Sequence, residues 1–555
     1  MLNNIFTNLD WLKRPDTSYN NIIKTIEENR FNIKGLEKIN SYFINYRDSE
    51  LINRQIYKIE DKIINSGDFS VFNLGIVSNI NLDLVIPSLR TYALKNNIYL
   101  RCFVAPFGQT INFIKKKNTV FTENKLDSVL VAIDFTCVNY TKENQAATRT
   151  LDYIKEIIYT INNDFKAPCI VQNMINTPEN IYGNLDFLME DSHRFITDEI
   201  NNFLKKEIKK NDHNIIFDVE KLSSLIGIDT WIDYSLYNLA KAPLSKTAIP
   251  CYANALSNIL GSLKGKAKRL LILDLDNTLW GGILGDLGVE NLELGNSSPI
   301  GEAHLNLQKY ILRLRNRGIL LAVASKNNIS IALNAINKHP EMLIREDHLS
   351  AYEINWNDKA QNIINICNKV KLGTQSAVFL DDNPFERDLV RSFLPSVSVP
   401  ELPNDPSYFV KYLSSANYFE TTFFSDDDKI RTSFYLAEKK RLNLKKHHSD
   451  VNNYLNTLNM KAKVHSFRKS DLKRIEQLIN KSNQFNLTTK RYSYSEISQI
   501  SKNINYFTLQ FRLSDIYGEN GIIGIIILNI NKSNLIIDTW IQSCRVLERK
   551  VENLI

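Results

Sequence analysis

The sequence predicts a multidomain α/β protein built around parallel β-sheets. Short apolar runs alternate with amphipathic stretches from about residue 70 to 220, and the same alternation begins again at Arg269. Strands that alternate with helices in this way form parallel sheets covered by helices. At 555 residues the chain is also too long for one hydrophobic core, so several domains are expected.

The N-terminal half is expected to contain a helical leader and a first α/β domain. In residues 1–65 apolar positions recur three and four apart, which is the helical spacing. Residues 66–260 are assigned to the α/β domain because five apolar runs there have the length of strands. These predicted strands are residues 71–78, 98–107, 128–134, 168–174 and 214–220.

A second α/β domain is predicted over residues 266–410, and three prolines within residues 399–409 mark its end. Gly373 is expected to be the C-cap of its second helix. The predicted strands are residues 269–276, 318–326 and 376–383, and the predicted helices are residues 302–318 and 358–373.

The last part of the chain is expected to hold a linker and a small final domain. Residues 411–450 are interpreted as a helical linker, with a charged helix near residues 426–446. Residues 451–555 are assigned to the final domain. Its predicted strands are residues 505–515, 521–530 and 534–543.

Composition and charge argue against nucleic-acid and membrane partners. The 68 basic and 61 acidic residues leave a net charge of +7, and the lysines are scattered rather than gathered into a stripe. The basic runs at residues 264–269 and 439–448 are interpreted as solvated surfaces. No run of about 18 apolar residues occurs. The six cysteines form no CxxC pair and no Cys/His cluster, so a reducing, cytoplasmic location without structural zinc is expected.

The segment LLILDLDNTLWGG, residues 270–282, leads an apolar strand directly into Asp274 and Asp276. Residues two apart in a strand point the same way, and ligands of open parallel sheets bind beyond the carboxyl ends of the strands. Two neighbouring carboxylates repel each other unless a cation lies between them, and Mg²⁺ prefers oxygen ligands. The segment therefore predicts a Mg²⁺ site.

The ends of the neighbouring predicted strands supply complementary groups. Asp381 and Asp382 end one strand, and Ser325 ends another with a hydroxyl suited to a phosphoryl oxygen. Lys359 begins a helix, where its ammonium would neutralise a transferring phosphate. The sequence has no GxxxxGK[ST] motif, so it does not favour a P-loop nucleotide site. The set predicts phosphoryl transfer.

These motifs resemble those of the haloacid dehalogenase (HAD) superfamily: DLDNT at residues 274–278, the serine at 325, the lysine at 359 and LDDN at residues 380–383. The resemblance implies that Asp274 is the nucleophile, which forms an aspartyl-phosphate, and that Asp276 is the general acid. Ser325 and Lys359 complete the implied catalytic set. Mg²⁺ would be held by Asp274, the main-chain carbonyl of Asp276 and Asp381, with Asp382 in support. The implied phosphate-binding residues are Asn277, Thr278, Ser325, Lys326, Asn327 and Lys359.

The sequence around these motifs is similar to the FkbH-like family within that superfamily. The similarity is carried by LDLDNTLWGGILGDLGVENLELG, VASKNN, INWNDKAQNI and VFLDDNPFERDLV, within a stretch from about residue 268 to 403. The resemblance implies a protein of polyketide biosynthesis that takes D-1,3-bisphosphoglycerate, releases phosphate and loads a glyceryl unit onto an acyl carrier protein. The expected partners are therefore a small phosphorylated triose and the phosphopantetheine thiol of that carrier.

One departure from the family leaves the chemistry open. Many relatives have a Cys immediately before the motif serine, proposed to hold the acyl group, and this chain has Ala324. Either the carrier thiol attacks directly, or another cysteine serves, or the protein is a simple Mg²⁺-dependent phosphatase. Cys367 falls within a helical pattern and is interpreted as a core residue. A non-catalytic carrier-docking protein is a further alternative, and the intact set of motif residues argues against it.

The flanking regions resemble two other folds. Residues 70–250 resemble an SGNH hydrolase, with Ser78 and Asn79 at the nucleophile's position, but residues 229–245 lack the histidine base. That domain is therefore expected to be non-catalytic. The C-terminal region resembles an incomplete GNAT acyltransferase fold. Glu548 stands where relatives tend to have glycine, so acyl-CoA binding is not expected there.

Overall fold

The computed structural model describes residues 4–28, 33–116, 119–138, 146–210, 214–424, 434, 437–438, 440–441, 444–445, 450–481, 486, 488, 490–531, 534–543, 546 and 549–553. The chain divides into two compact units, Met1–Leu263 and Lys264–Ile555. The finer division into five segments stays a prediction. Most of the predicted helix near residues 426–446, most of the basic run 439–448, and Glu548 lie outside the described residues.

The first unit contains a five-stranded parallel sheet. Its strands are β1 Ser70–Ser78, β2 Ile98–Val104, β3 Ser128–Ala132, β4 Cys169–Gln172 and β5 Ile215–Phe217. They pair in parallel in the order β2-β1-β3-β4-β5. All five residues of β3 are buried. Continuous apolar runs of this kind belong to parallel strands that are covered on both faces, so the strands predicted for this region are confirmed.

Helices precede the sheet and connect its strands. Four helices lie between Thr17 and Asn65, within the segment predicted to be helical. The helices of the unit are α1 Thr17–Glu27, α2 Ile33–Ile39, α3 Tyr46–Lys58, α4 Glu60–Asn65, α5 Ile86–Leu94, α6 Thr110–Lys115, α7 Val120–Glu123, α8 Ala146–Thr160, α9 His193–Lys210, α10 Val219–Ile226, α11 Ile228–Trp231, α12 Tyr234–Ala240 and α13 Ile249–Leu263.

The second unit begins with a four-stranded parallel sheet in the order β8-β7-β6-β9. Its strands are β6 Leu270–Leu273, β7 Leu320–Ser325, β8 Ala351–Ile354 and β9 Ala377–Leu380. Alternate residues enter two cores, Leu271 and Leu273 on one face of the sheet and Leu270 and Ile272 on the other. Its helices are α14 Leu284–Leu287, α15 Pro299–Asn316, α16 Ile329–Lys338, α17 Lys359–Lys369, α18 Pro384–Phe393 and α19 Phe409–Ser415.

The prediction of Gly373 as the C-cap of α17 is wrong. The helix ends at Lys369 and its cap is Val370. Lys371 follows with a positive φ of 54°, and the Leu372 N–H donates to the Cys367 carbonyl. A lysine thus occupies the left-handed position that a glycine usually takes. Gly373 has an ordinary φ of −73° at the start of a 3₁₀ turn.

The core around this sheet continues past the predicted boundary at residue 410. Phe409, Leu413 and Phe419 are buried in the same cluster as Leu402. The main-chain carbonyl of Tyr418 also accepts a hydrogen bond from the Lys268 N–H, at 3.0 Å. The prolines of residues 399–409 therefore mark an irregular connection, and α19 packs onto the sheet domain behind them.

The C-terminal part forms a four-stranded antiparallel sheet in the order β10-β11-β12-β13. Its elements are α20 Val451–Thr457, β10 Lys461–His465, α21 Leu472–Lys481, α22 Tyr494–Ile500, β11 Tyr506–Asp515, β12 Gly518–Asn531 and β13 Asn534–Gln542. The three predicted strands are confirmed. Strand β10 was not predicted, because four of its five residues are exposed and it contains no apolar run. Across both units, none of the described helices combines the length and apolarity needed to cross a membrane.

Candidate active site

The carboxyl ends of the four strands in the second unit bring the predicted site residues together. Strand β6 ends at Leu273, and the N–H of the following Asp274 donates to the Leu380 carbonyl at 2.9 Å. Asp274 is therefore held beside the end of β9, which leads directly into Asp381 and Asp382. Carboxylate oxygens of these three aspartates lie within 4.8 Å of one another.

The ammonium of Lys359 lies among these carboxylates. Its Nζ is 2.5 Å from Asp381 Oδ2 and 3.1 Å from Asp274 Oδ1. Asp358 caps α17 by accepting from the Ala360 N–H, which fixes Lys359 as the first helical residue. Burial lowers the pKa of Lys359, but the carboxylates of Asp274 and Asp381 outweigh it, so the pKa lies above its ordinary value. Lys359 is a permanent cation at the centre of the site.

Burial raises the pKa of each of the three carboxyl groups. The pKa of Asp274 rises to about 6, although the Lys359 ammonium opposes the rise. The pKa values of Asp381 and Asp382 are also raised by burial, and their carboxylate neighbours add to the effect. The folded protein therefore holds these carboxylates together against their mutual repulsion.

The donor set fits a divalent cation. Asp274 Oδ1 is buried, and its 3.1 Å contact with the Lys359 ammonium is an ion pair. Three carboxylates and one ammonium leave two negative charges unbalanced. Hard oxygen donors with this excess of negative charge match Mg²⁺. Asp274, Asp381 and Asp382 are the side chains that would hold it.

The Asp276 side chain is turned toward the connection that follows β6. Its Oδ1 accepts hydrogen bonds from Trp280 Nε1 at 3.0 Å and from the Leu284 N–H at 3.1 Å. Its Oδ2 accepts from Asn327 Nδ2 at 2.9 Å. The Asp276 carboxylate does not join the metal-ligating group of Asp274, Asp381 and Asp382. Because three donors already occupy it, the side chain would have to leave this network to act as a general acid.

The implied phosphate-binding residues have different surroundings. Ser325 is buried at the end of β7, and its Oγ accepts from Asn327 Nδ2 at 3.4 Å. The Thr278 hydroxyl is engaged with Asp382, whose N–H donates to it at 3.1 Å. The Asn277 side chain accepts from the Gly282 N–H and closes a turn, since Asn277 itself has a positive φ of 52°.

Two side chains that the sequence analysis did not identify organise the same edge. Glu386 accepts a hydrogen bond from Lys326 Nζ at 2.6 Å. Arg387 donates to the main-chain carbonyls of Asp381 and Asp382 and to Glu401, so it fixes the turn that carries the carboxylates. Both residues lie in the first turn of α18, directly after LDDN. The sequence signal that could have identified these two charged residues is their position directly after the LDDN motif.

Exposed apolar side chains collect around this edge. Within residues 264–419, the large apolar residues that are exposed fall mainly in the connections after β6, β7, β8 and β9 and in the first turn of α15. They are Ile283, Leu287, Ile300, Ile329, Ile331, Trp356 and Phe385, while Phe393 lies at the opposite end of α18. Grouped apolar exposure of this kind is typical of a contact surface. We call these seven residues the apolar rim.

Within residues 264–424 the cysteine that the structure describes, Cys367, offers no nucleophile at this site. Ala324 and Cys367 are buried in the same core cluster, and burial raises the pKa of the Cys367 thiol to about 11. The interpretation of Cys367 as a core residue is therefore confirmed. Cys544 lies outside the described residues.

Ser78, in the first unit, stands at the nucleophile's position of the SGNH resemblance, and its hydroxyl is not activated. The Ser78 hydroxyl donates to the Ala132 carbonyl at 3.0 Å and accepts from the Ile80 N–H. Asn79 is bound to Asp134 and Thr136. Ser78 is therefore engaged with the main chain instead of a histidine base.

A parallel sheet with carboxylates, a serine and a buried lysine at its carboxyl edge is the arrangement expected of a HAD-type phosphatase. Comparison with known proteins supports this class. Residues 73–261 match the family model described as FkbH, N-terminal domain. The solved N-terminal part of the protein BF1531 from Bacteroides fragilis, which contains a phosphatase domain and is complexed with Mg, is 28% identical to this chain. The match covers 69% of this chain and 100% of that chain, with a TM-score of 0.62.

Other comparisons add little. An uncharacterized protein from Corynebacterium glutamicum is 10% identical over 28% of this chain and 98% of its own, with a TM-score of 0.19 that supports no argument. No curated protein matches the chain. The chain is thus FkbH-like in its first unit and similar to a Mg-bound phosphatase-domain protein over most of its length. The SGNH and GNAT resemblances stay expectations.

Proposed function

We propose that this chain is a Mg²⁺-dependent HAD-type enzyme that takes D-1,3-bisphosphoglycerate, releases phosphate and loads the glyceryl unit onto the phosphopantetheine thiol of an acyl carrier protein. The observation that carries the proposal is the cluster of three strand-end carboxylates around the buried Lys359 ammonium. A bound Mg²⁺ would supply charge neutralisation for the phosphoryl oxygens. The similarity to the Mg-complexed phosphatase-domain protein supports this use of the cluster.

Hydrolysis of the acyl phosphate would use Asp274 as the nucleophile. A carboxylate oxygen of Asp274 forms a bond to the phosphorus of the acyl phosphate while the bond from that phosphorus to the acyl oxygen breaks. 3-Phosphoglycerate leaves as a carboxylate with the bonding electron pair, and water then releases phosphate from Asp274. Lys359 remains beside the reacting oxygens and offsets their charge.

Glyceryl transfer would break a different bond. The carrier thiol sulfur forms a bond to the acyl carbon, and the bond from that carbon to the phosphate oxygen breaks. Phosphate leaves with the bonding electron pair and takes up the thiol proton, and the Lys359 ammonium offsets its charge. No enzyme cysteine is required, which is consistent with Ala324 and the buried Cys367. The product still carries the 3-phosphate, so a second step removes it. An Asp274 oxygen forms a bond to that phosphorus, and the bond from phosphorus to the C3 oxygen breaks. The C3 oxygen takes a proton from Asp276, and water releases phosphate from Asp274. The carrier then holds a glyceryl unit. The apolar rim supports a macromolecular second substrate, because a triose phosphate offers it no apolar surface.

The experiment is the intact mass of a phosphopantetheinylated acyl carrier protein after incubation with the protein, Mg²⁺ and enzymatically generated D-1,3-bisphosphoglycerate. The expected result is a mass gain equal to one glyceryl unit that Asp274→Asn abolishes and Cys367→Ala preserves. Phosphate release without a mass gain would instead indicate a simple phosphatase. Neither product from a folded protein would indicate a non-catalytic docking protein.

A further inference from the structure

Three cations lie at the catalytic edge of the sheet, and one of them is bound neither to the carboxylate cluster nor to main-chain carbonyls. Residues 264–424 are described without gaps, and the connections and first helical turns at this edge contain Lys326, Lys359 and Arg387. Lys359 is bound to the carboxylate cluster, and Arg387 is bound to main-chain carbonyls and to Glu401. The Lys326 side chain remains 39% exposed. It is the cation that a ligand can reach.

Lys326 is held across the mouth of the site by Glu386. Lys326 follows β7, and Glu386 lies in the first turn of α18, which follows β9. Strand β6 lies between β7 and β9 in the sheet, so the 2.6 Å ion pair spans the end of the strand that carries Asp274. The pair therefore lies at the border of the phosphoryl-binding crevice.

The Glu386 carboxylate is incompletely satisfied. Its side chain is 9% exposed, Oε1 accepts from Lys326, and Oε2 is buried without a hydrogen bond. A buried acceptor without a donor lowers stability, so such groups need an explanation other than stability. Positioning Lys326 is that explanation, because an ammonium has three N–H donors and Glu386 occupies one of them. The remaining N–H donors of the Lys326 ammonium are available to an anion.

We propose that Lys326 is a specificity-determining residue that binds a second anionic group of the substrate, and that Glu386 is its positioning residue. The ligand class is a phosphorylated compound with a second anion, carboxylate or phosphate, a few bonds from the phosphoryl group. The inference rests on the proposed function only in taking the carboxylate cluster as the phosphoryl-binding site. It names the feature by which that site selects its substrate.

Calorimetric titration with phosphorylated probes in the presence of Mg²⁺, carried out in an Asp274→Asn background that lacks the proposed nucleophile, tests the inference without turnover. The probes are 3-phosphoglycerate, which has a phosphate and a carboxylate, and glycerol 3-phosphate, which has the phosphate alone. The protein is expected to bind 3-phosphoglycerate at least about tenfold more tightly, the effect of one charge-assisted hydrogen bond. Lys326→Met should abolish this preference and leave the affinity for glycerol 3-phosphate within about twofold, whereas a large loss of affinity for both probes would give Lys326 the phosphate-binding role that the family resemblance implies and would overturn the proposal.

Two further variants separate positioning from a structural effect. Glu386→Gln should reduce the preference for 3-phosphoglycerate without lowering the melting temperature, because glutamine keeps an oxygen that can accept from Lys326 and removes a buried charge whose Oε2 has no donor. Lys338→Met, at the far end of α16 and also exposed, is the matched control and should retain the full preference. The proposal is overturned if the protein binds both probes equally, binds neither, or keeps its preference in Lys326→Met. Failure to load a carrier protein would overturn the proposed function and leave this preference intact.

Discussion

Lys359 Nζ donates a hydrogen bond to Asp381 Oδ2 over 2.5 Å, and the two side chains are 4% and 0% exposed. The contact joins the first residue of α17 to the end of β9 and lies beside Asp274. A buried charge pair has given up hydration on both sides, so each partner depends on the other. The folded protein therefore depends on the Lys359 ammonium to offset the negative charge of the candidate site.

Replacing Lys359 should destabilise the protein when no metal is bound. In Lys359→Met the Asp274 and Asp381 carboxylates lose their common cation inside the core. We expect the free energy of unfolding in EDTA to fall by about 3–5 kcal/mol, measured by urea denaturation. Mg²⁺ should restore part of the loss because it supplies positive charge to the same carboxylates. An unchanged stability in EDTA would contradict the ion pair.

Stability without metal should depend on pH in a defined direction. Burial raises the folded-state pKa of Asp274 to about 6 from an ordinary value of 3.8, so the folded protein binds more protons than the unfolded chain in that interval. The contribution of Asp274 to the free energy of unfolding is therefore fully present below about pH 4 and is lost as the pH rises through about 6.

Mg²⁺ binding should show the complementary dependence, since protons compete for the same oxygens. The rise in melting temperature caused by Mg²⁺, measured against EDTA at the same pH, should be larger at about pH 7.5 than at about pH 5. Asp274→Asn should reduce that rise at both values. An equal rise at the two pH values would show that these carboxylates are not the ligands.

Asp276→Asn should loosen the connection after β6 in addition to any effect on turnover. The amide NH₂ of the variant would face hydrogen-bond donors, because Asp276 accepts from Trp280, Leu284 and Asn327. A loss of about 1–3 kcal/mol is expected. Hydrogen exchange should become faster in residues 280–284, and it should stay unchanged in β9. Loss of activity with unaltered exchange would instead assign Asp276 a purely chemical role.

The apolar rim should affect the carrier protein and not the small substrate. Trp356→Ala and Phe385→Ala remove side chains that are 75% and 69% exposed at the catalytic edge. Each is expected to raise the KM for the carrier protein about tenfold and to leave phosphate release from acetyl phosphate unchanged. Phe393→Ala removes a side chain of 68% exposure at the other end of α18 and is the matched control. Equal effects of all three variants would exclude docking at the rim.

The sequence was sufficient for the parts of the site that follow from strand ends. Apolar runs located β6, β7 and β9, and parallel pairing then required Asp274, Ser325 and Asp381 to share one edge. The predicted strand 269–276 is shorter in the structure, because hydrogen bonds from Trp280 and Leu284 turn the Asp276 side chain toward the following connection.

Contacts between distant connections were beyond the sequence analysis. Lys326 and Glu386 pair although they are 60 positions apart in the sequence. The spacing of apolar residues does not predict which acidic side chain a flexible lysine contacts. Lys371 replaces the expected glycine after α17, because the tertiary fold imposes a left-handed residue there. Exposed edge strands such as β10 contain no apolar run, so a search for apolar runs does not find them.

The most direct measurement is phosphate release from acetyl phosphate, with Mg²⁺ and with EDTA, by the unmodified protein and by Asp274→Asn. Asp347→Asn, whose side chain is 80% exposed in a turn before β8, is the control. We expect release that requires Mg²⁺, falls at least about a hundredfold in Asp274→Asn and is unchanged in Asp347→Asn. Release that persists in EDTA, or that survives in a folded Asp274→Asn protein, would contradict a metal-dependent site centred on Asp274.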